Sequence, residues 1–177
     1  MTPSLPYYPW YVVVSGHEIH QGDILEACPI FAPVDNETTN GELEVTPTRR
    51  DVVVMTHSCD MQRGKIAGSF AMRFGSALGH TNRSQACQAR QSNLELARKG
   101  QLLSFHVLAE CDFDGYRREL SVIDFRHVYT LPFDFVRREA ERRLHLRLLP
   151  PYREHMSQAF ARLFMRVGLP ADIPPIR

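Results

Sequence analysis

Apolar residues in this chain fall into short runs separated by turn residues, and the most compact run is Val52-Val53-Val54-Met55. Four consecutive apolar positions without polar alternation predict a strand over Asp51–Thr56 buried on both faces, hence central in its sheet. Trp10 to Val14, aromatic and β-branched, predicts another strand. A third follows the Gly16 turn, from Gln21-Gly22-Asp23-Ile24-Leu25 to near Ile30. Residues 33–48 hold Asp35-Asn36, Asn40-Gly41 and Pro47 and predict a mobile loop or a hairpin tip. Ile66 to Phe74 predicts a strand broken by Gly75 and Gly79. Leu102–Glu110 and Arg117–Asp124 predict strands flanking the hairpin signal Asp112-Phe113-Asp114-Gly115, and Arg126–Leu131 predicts one more, ending at Pro132. Leu144 to Leu149 alternates like an edge strand.

Helical spacing is rarer. Asn82 or Ser84 can cap a helix running through Arg98 to Gly100, with apolar positions so sparse that it should lie exposed. Residues 134–143 predict a short basic helix. After Pro150-Pro151, the residues Met156, Ala159, Phe160, Leu163, Phe164 and Val167 recur at three- and four-residue spacing, until Gly168 and Pro170 stop the pattern. These elements predict a mainly β (α+β) protein with five to seven mostly antiparallel strands. The expected form is a small bent antiparallel sheet or SH3-like barrel with a C-terminal amphipathic helix. One domain over 1–177 is expected: an extended arm at 1–9, a β-rich core at 10–149 with helices near 83–98 and 134–143, the terminal helix at 150–168 and a proline-rich tail at 169–177.

Composition narrows the classes. A chain of 177 residues with 44% hydrophobic and 23% charged residues lies in the globular range. Its longest apolar runs fall far short of the roughly 20 residues that cross a bilayer. The first ten residues show neither a basic n-region nor an apolar h-region, so no cleaved signal is expected. Cys28, Cys59, Cys87 and Cys111 form no C-x-x-C pair, and free thiols in a reducing cytoplasm are the expectation. The net charge of +1 hides an asymmetry: residues 1–66 carry four basic and nine acidic side chains, residues 67–177 seventeen and eleven. The densest basic stretch includes Arg137, Arg138, Arg142, Arg143, Arg153, Arg162 and Arg166. Gathered on one face, these would bind nucleic acid or an acidic protein partner; dispersed, they would solvate helices.

Candidate chemistry concentrates in Thr56-His57-Ser58-Cys59-Asp60, where the buried strand emerges. If the strand continues through Cys59, His57 and Cys59 face the same side. A thiol beside imidazole becomes a usable nucleophile, and Asp60 could orient the ring. The alternative is a small buried cysteine beside a turn capped by Ser58 and Asp60. Because Cys59 follows a run buried on both faces, the sulfur is expected to be buried and structural. Among His57, Cys59, His80, Cys87, Cys111 and Cys28 one pair is close in sequence, so no metal is expected, and no cofactor. The other histidines, His17, His20, His106, His127, His145 and His155, fit no ligand spacing and are expected at exposed or edge positions. Asp23 reads as a turn residue that caps or pairs with an arginine.

The order Gly22-Asp23-Ile24, then Arg49-Arg50 before Val52-Val53-Val54, then Ser121-Val122-Ile123-Asp124, resembles PemK/MazF-type toxins. Asp51 stands where that pattern has proline. The resemblance covers roughly residues 20–135. It implies an SH3-like barrel that binds and cleaves RNA under the control of an antitoxin, with Arg50 at the phosphate. His57 would be a chemically suitable base. The Thr56–Asp60 segment is also similar to a Ser/Thr-x-x-Cys-Asp element of uncharacterised small bacterial proteins. Three functions therefore stand open: a nucleic-acid-binding, RNA-cleaving toxin-like module; a non-enzymatic protein-binding subunit of a bacterial or phage assembly or defence system; and a Cys59-dependent hydrolase or thiol sensor.

Overall fold

The fold is organised around strand β3 (Val45–Val54), the fourth of seven antiparallel strands in a computed structural model that describes residues 9–33, 45–63, 65–73, 93–113 and 116–165. The strands are β1 (Tyr11–Val14), β2 (Asp23–Pro33), β3, β4 (Lys65–Arg73), β5 (Phe105–Leu108), β8 (Ser121–Pro132) and β9 (His145–Leu148), in the order β1-β9-β2-β3-β4-β8-β5. Strands β6 (Cys111–Phe113) and β7 (Tyr116–Arg118) form a separate small hairpin. A 3-10 helix covers Ser58–Arg63, and the α-helices α1 and α2 cover Phe133–Glu141 and Tyr152–Phe164. Residues 93–98 are also helical. No helix among the described residues is long and apolar enough to cross a membrane.

Because side chains alternate along a strand, the apolar run of β3 feeds two cores. Val53 and Met55 join Ile24, Ile123, Leu146 and Leu148 on one face, where α2 contributes Met156. Val52 and Val54 join Leu25, Ile30, Met61 and Leu131 on the other, where α1 contributes Val136 and Ala140. The four β3-run residues are 0–5% exposed. Each gains roughly 1.5–3 kcal/mol from burial, which is why a run too short for a helix still fixes the centre of the fold.

Gly22 controls the start of β2. Its N–H donates to Val54 O and its carbonyl accepts from Leu148 N, so it links β3 to β9. Its φ of +86° suits glycine, and a Cβ there would meet Leu148 Cβ at 3.0 Å. Further along β2, the register shifts between Leu25 and Cys28, with Ala27 at φ 48°.

Several expectations change. Among the described residues the sheet is open, with β1 and β5 at its two ends, so it is an antiparallel sheet and not a closed barrel. Strand β9 is not an edge: it lies between β1 and β2, and His145, Leu146 and Leu148 are all buried. The 121–124 and 126–131 segments form one strand. Its break in pairing is spanned by Asp124, whose carboxylate accepts from Arg126 N, Nε and Nη2 at 2.6–3.0 Å. At the ends of the 33–48 segment, Pro33 on β2 pairs with Val45 on β3. The arm at 1–8, residues 34–44, the first part of the 83–98 helix, and Arg166, Val167, Gly168 and the tail lie outside the described residues. On α2, Met156 is fully buried, Ala159, Phe160 and Leu163 pack partly, and Phe164 is 61% exposed.

Candidate functional site

Where β3 ends at Val54, the chain does not continue as a strand; it turns into the 3-10 helix that begins at Ser58. The turn is fastened to the start of β2 by Gln21, whose side-chain amide donates to Met55 O at 2.9 Å and whose backbone N–H donates to Ser58 Oγ at 3.2 Å. Asp60 N–H closes the turn on His57 O at 2.9 Å. His57 and Cys59 therefore meet across a tight turn rather than along a strand. His57 Nδ1 lies 2.8 Å from Cys59 Sγ and 3.4 Å from the Cys59 backbone N–H, which donates to it. With that N–H donating to it, Nδ1 is the ring nitrogen that faces the thiol as an acceptor. It is thus the atom able to take the thiol proton.

Cys59 is exposed, which overturns the expectation of a buried structural sulfur. The physical reason is the early end of β3: Met55 is the last buried residue before Thr56 leads outward, and His57, Cys59 and Asp60 all face solvent. Cys28 shows the contrast. Burial pushes its thiol up to about 12, with Glu139 adding to the rise. Cys111 is likewise raised by burial.

His57 and Ser58 border an open cleft of about 520 Å³ whose far wall is the first turns of α2, with Arg153, Glu154 and Ser157. His20 and Gln21 complete it. Sequence reasoning missed this wall because nearly a hundred residues separate it from His57; the signal available was the position of Arg153 at the start of a helix.

One imidazole nitrogen, Cys59 Sγ and an Asp60 carboxylate oxygen lie within 4.8 Å of one another, a donor set that suits a transition metal. Tetrahedral zinc with ordinary bond lengths holds nitrogen and sulfur ligands roughly 3.6 Å apart. The 2.8 Å between Nδ1 and Sγ is shorter than that span.

The remaining candidates are dispersed. Arg50 is exposed on β3 opposite Cys28, and roughly 13 Å of extended strand separates it from Val54, before the turn carrying His57 begins. Arg137, Arg138, Arg142 and Arg143 ride on or just beyond α1, on one face of the sheet, while Arg153 and Arg162 ride on α2, on the other. Many are paired: Arg137 with Asp134, Arg142 and Arg143 with Glu139, Arg153 with Glu154.

Two buried charge clusters lie in the core: the Asp23 one realises the expected pairing with an arginine, and the Arg118 one went unread in the sequence. Asp23, fully buried, accepts from Arg147 at 2.6 and 3.0 Å and from His20 N–H at 2.8 Å, and His145 Nε2 stands 3.5 Å away. Burial raises its carboxyl, but the His145 and Arg147 contacts outweigh this and hold it below the usual range. His145 is therefore a core residue, not an exposed one. Arg118, also fully buried, donates to Glu26 at 2.7 Å, Asp51 at 3.0 Å and Ser121 Oγ at 3.1 Å. Asp51 also accepts from Ala27 N–H at the bulge, a bond that proline's carbonyl-only chemistry at 51 could not make.

Comparison with known proteins finds no family model and no curated protein that matches the chain.

Proposed function

We propose that this protein is a cysteine-dependent hydrolase in which Cys59 is the nucleophile and His57 the general base. The observation that carries the reading is the 2.8 Å contact between His57 Nδ1 and Cys59 Sγ, both exposed, with His57 lining an open cleft. The substrate class is an acyl compound with an electrophilic carbonyl carbon. Nδ1 takes the thiol proton, the sulfur forms a bond to the carbonyl carbon, and the π electrons move to oxygen. The tetrahedral adduct collapses, and the leaving group departs with the proton from Nδ1. Water then cleaves the thioester with His57 again as base. Arg153 and the Ser58 hydroxyl, both lining the cleft, supply donors for the oxyanion.

The test is site-resolved alkylation by iodoacetamide, followed by mass spectrometry. Cys59 in the native protein is expected to react at least as fast as in unfolded protein, and His57→Ala is expected to slow it by about tenfold. Cys28 reacts after unfolding. A native Cys59 rate below the unfolded rate sinks the reading.

A second reading, RNA binding of the PemK/MazF type, draws support from a basic patch at the β2 bulge. Arg49 donates to Ala27 O at 3.2 Å and Arg143 to Glu26 O at 3.0 Å, with exposed Arg50 adjacent. Each guanidinium has further N–H groups for phosphate. Its test is a salt titration of RNA affinity: a steep slope that flattens in Arg49→Ala/Arg143→Ala supports it, and no RNA binding at low salt removes it.

A further inference from the structure

A second cavity, of about 330 Å³, lies between the 97–103 turn, the start of β5 and the outer side of α2. Its charge is one-sided. Arg98, Lys99 and Arg162 line it together with His106 and His155, and no aspartate or glutamate does among the described residues. The Arg98 charge is already met by Glu95, which accepts from its guanidinium at 2.9–3.2 Å. The side chains of Lys99 and Arg162 make no hydrogen bond or ion pair among the described residues, although Lys99 lies close enough to Glu95 to help lower its carboxyl. Deeper in, His106 stacks against Phe125 at 6.2 Å between ring centroids and keeps a buried Nε2 with no partner. Leu103 and Phe105 give the cavity an apolar wall.

Two cations whose side chains hold no hydrogen bond, a buried imidazole nitrogen that lacks a partner and an apolar wall are complementary to one ligand class. We propose that this cavity binds a small phosphate monoester carrying an apolar or aromatic body, with the phosphate on Lys99 and Arg162 and a polar atom of the ligand on His106 Nε2. Burial, and secondarily the neighbouring His155, lower the His106 pKa to about 4, so near neutral pH the ring is uncharged and serves as a hydrogen-bonding group while the two cations supply the charge. The volume is at the small end of ligand sites, which run from roughly 300 to 1,000 Å³ and suit a mononucleotide-sized molecule. The same chemistry has two sources, a free nucleotide and the phosphorylated end of an RNA strand. The site borders the His57 cleft through Gln158, which lines both, yet it requires no thiol chemistry.

Calorimetric titration of the full chain tests this, in the Cys59→Ser background so that alkylation or hydrolysis plays no part. The probes are adenosine monophosphate, adenosine, and a short RNA with and without a terminal phosphate. Saturable binding of the monophosphate but not of adenosine is expected. Lys99→Ala/Arg162→Ala should raise its Kd by roughly 10- to 100-fold, because charge-assisted hydrogen bonds are lost. Both residues are exposed, so the variant retains its fold. Arg98→Ala, at a charge already neutralised, should matter less, and His106→Phe should weaken binding while keeping the stacked ring. Tighter binding of the phosphate-ended RNA than of the nucleotide marks a strand end as the source, and equal or weaker binding marks the free nucleotide. Absence of saturable monophosphate binding, or the same affinity for adenosine, or an unchanged Kd in the double variant, overturns the proposal.

Discussion

The buried Asp23–His145–Arg147 cluster and the exposed His57–Cys59–Asp60 turn both place histidine beside aspartate, within one short stretch of the fold. They differ in what surrounds them. Asp23 has no exposed surface, and its oxygens are taken by a guanidinium and a backbone N–H. His57 instead meets an exposed thiol and itself lines an open cleft. Burial, with both carboxylate oxygens of Asp23 occupied, turns Asp23 and Arg147 into a brace between β2 and β9. Exposure with an accepting Nδ1 leaves His57 and Cys59 able to react. Gln21 joins the two regions, because it precedes Gly22 and Asp23 in the chain and holds Met55 and Ser58 across the gap.

The largest way to break the comparison is at the brace. Asp23→Ala would leave the Arg147 charge without its carboxylate, and about 3–5 kcal/mol of stability should be lost in urea unfolding. The sign with pH follows from the lowered carboxyl of Asp23. Its contribution is present above the unfolded carboxylate pKa of about 4 and is lost as pH falls through the lower folded value. A loss below 1 kcal/mol would show that Asp23 is not a brace. Next comes Gly22→Ala, which forces φ +86° on an L-residue and presses Cβ to 3.0 Å from Leu148 Cβ. It should cost about 1–3 kcal/mol, and a neutral result would mean that the β2–β9 junction has slack.

His106 gives a third environment, half-buried with no carboxylate against it. Its pKa of about 4 lies below the unfolded value, so the unfolded chain takes up a proton first as pH falls. Stability should be full above about pH 6.5 and decline down to about pH 4, by about 1–2 kcal/mol at pH 5. Urea midpoints of His106→Phe should show a flatter slope across that window; an identical slope would place the ring in water.

How far the sequence was legible follows from range. The Val52–Met55 run marked the middle strand because continuous burial is written in four adjacent residues. The position of β9 was not legible, since an alternating segment looks the same whether or not β1 pairs on its outer side. Nothing in the Arg117–Asp124 strand marked Arg118 as buried, and its charge is met by Glu26 and Asp51, 92 and 67 residues earlier. The His57–Cys59 pairing was local and therefore readable. The exposure of Cys59 was not, because apolar spacing does not say that the strand stops at Val54.

That last point gives the smallest expected stability effect and the sharpest one. A buried cysteine replaced by serine leaves a hydroxyl without a partner and costs about 1–3 kcal/mol. Cys59 is exposed, so Cys59→Ser should shift the unfolding free energy by no more than about 0.5 kcal/mol, as surface substitutions do. Cys28→Ser, at a residue 1% exposed, should show the full buried cost in the same urea titration. The two substitutions exchange the same atoms, so the difference between them measures environment alone. If both cost the same, the turn after β3 packs inward in solution, and the thiol is no more available than the one in the core. If the costs separate as expected while Cys59→Ser also removes the rapid alkylation, stability and reactivity are divided between two cysteines of one fold. The division then comes from the point where β3 ends.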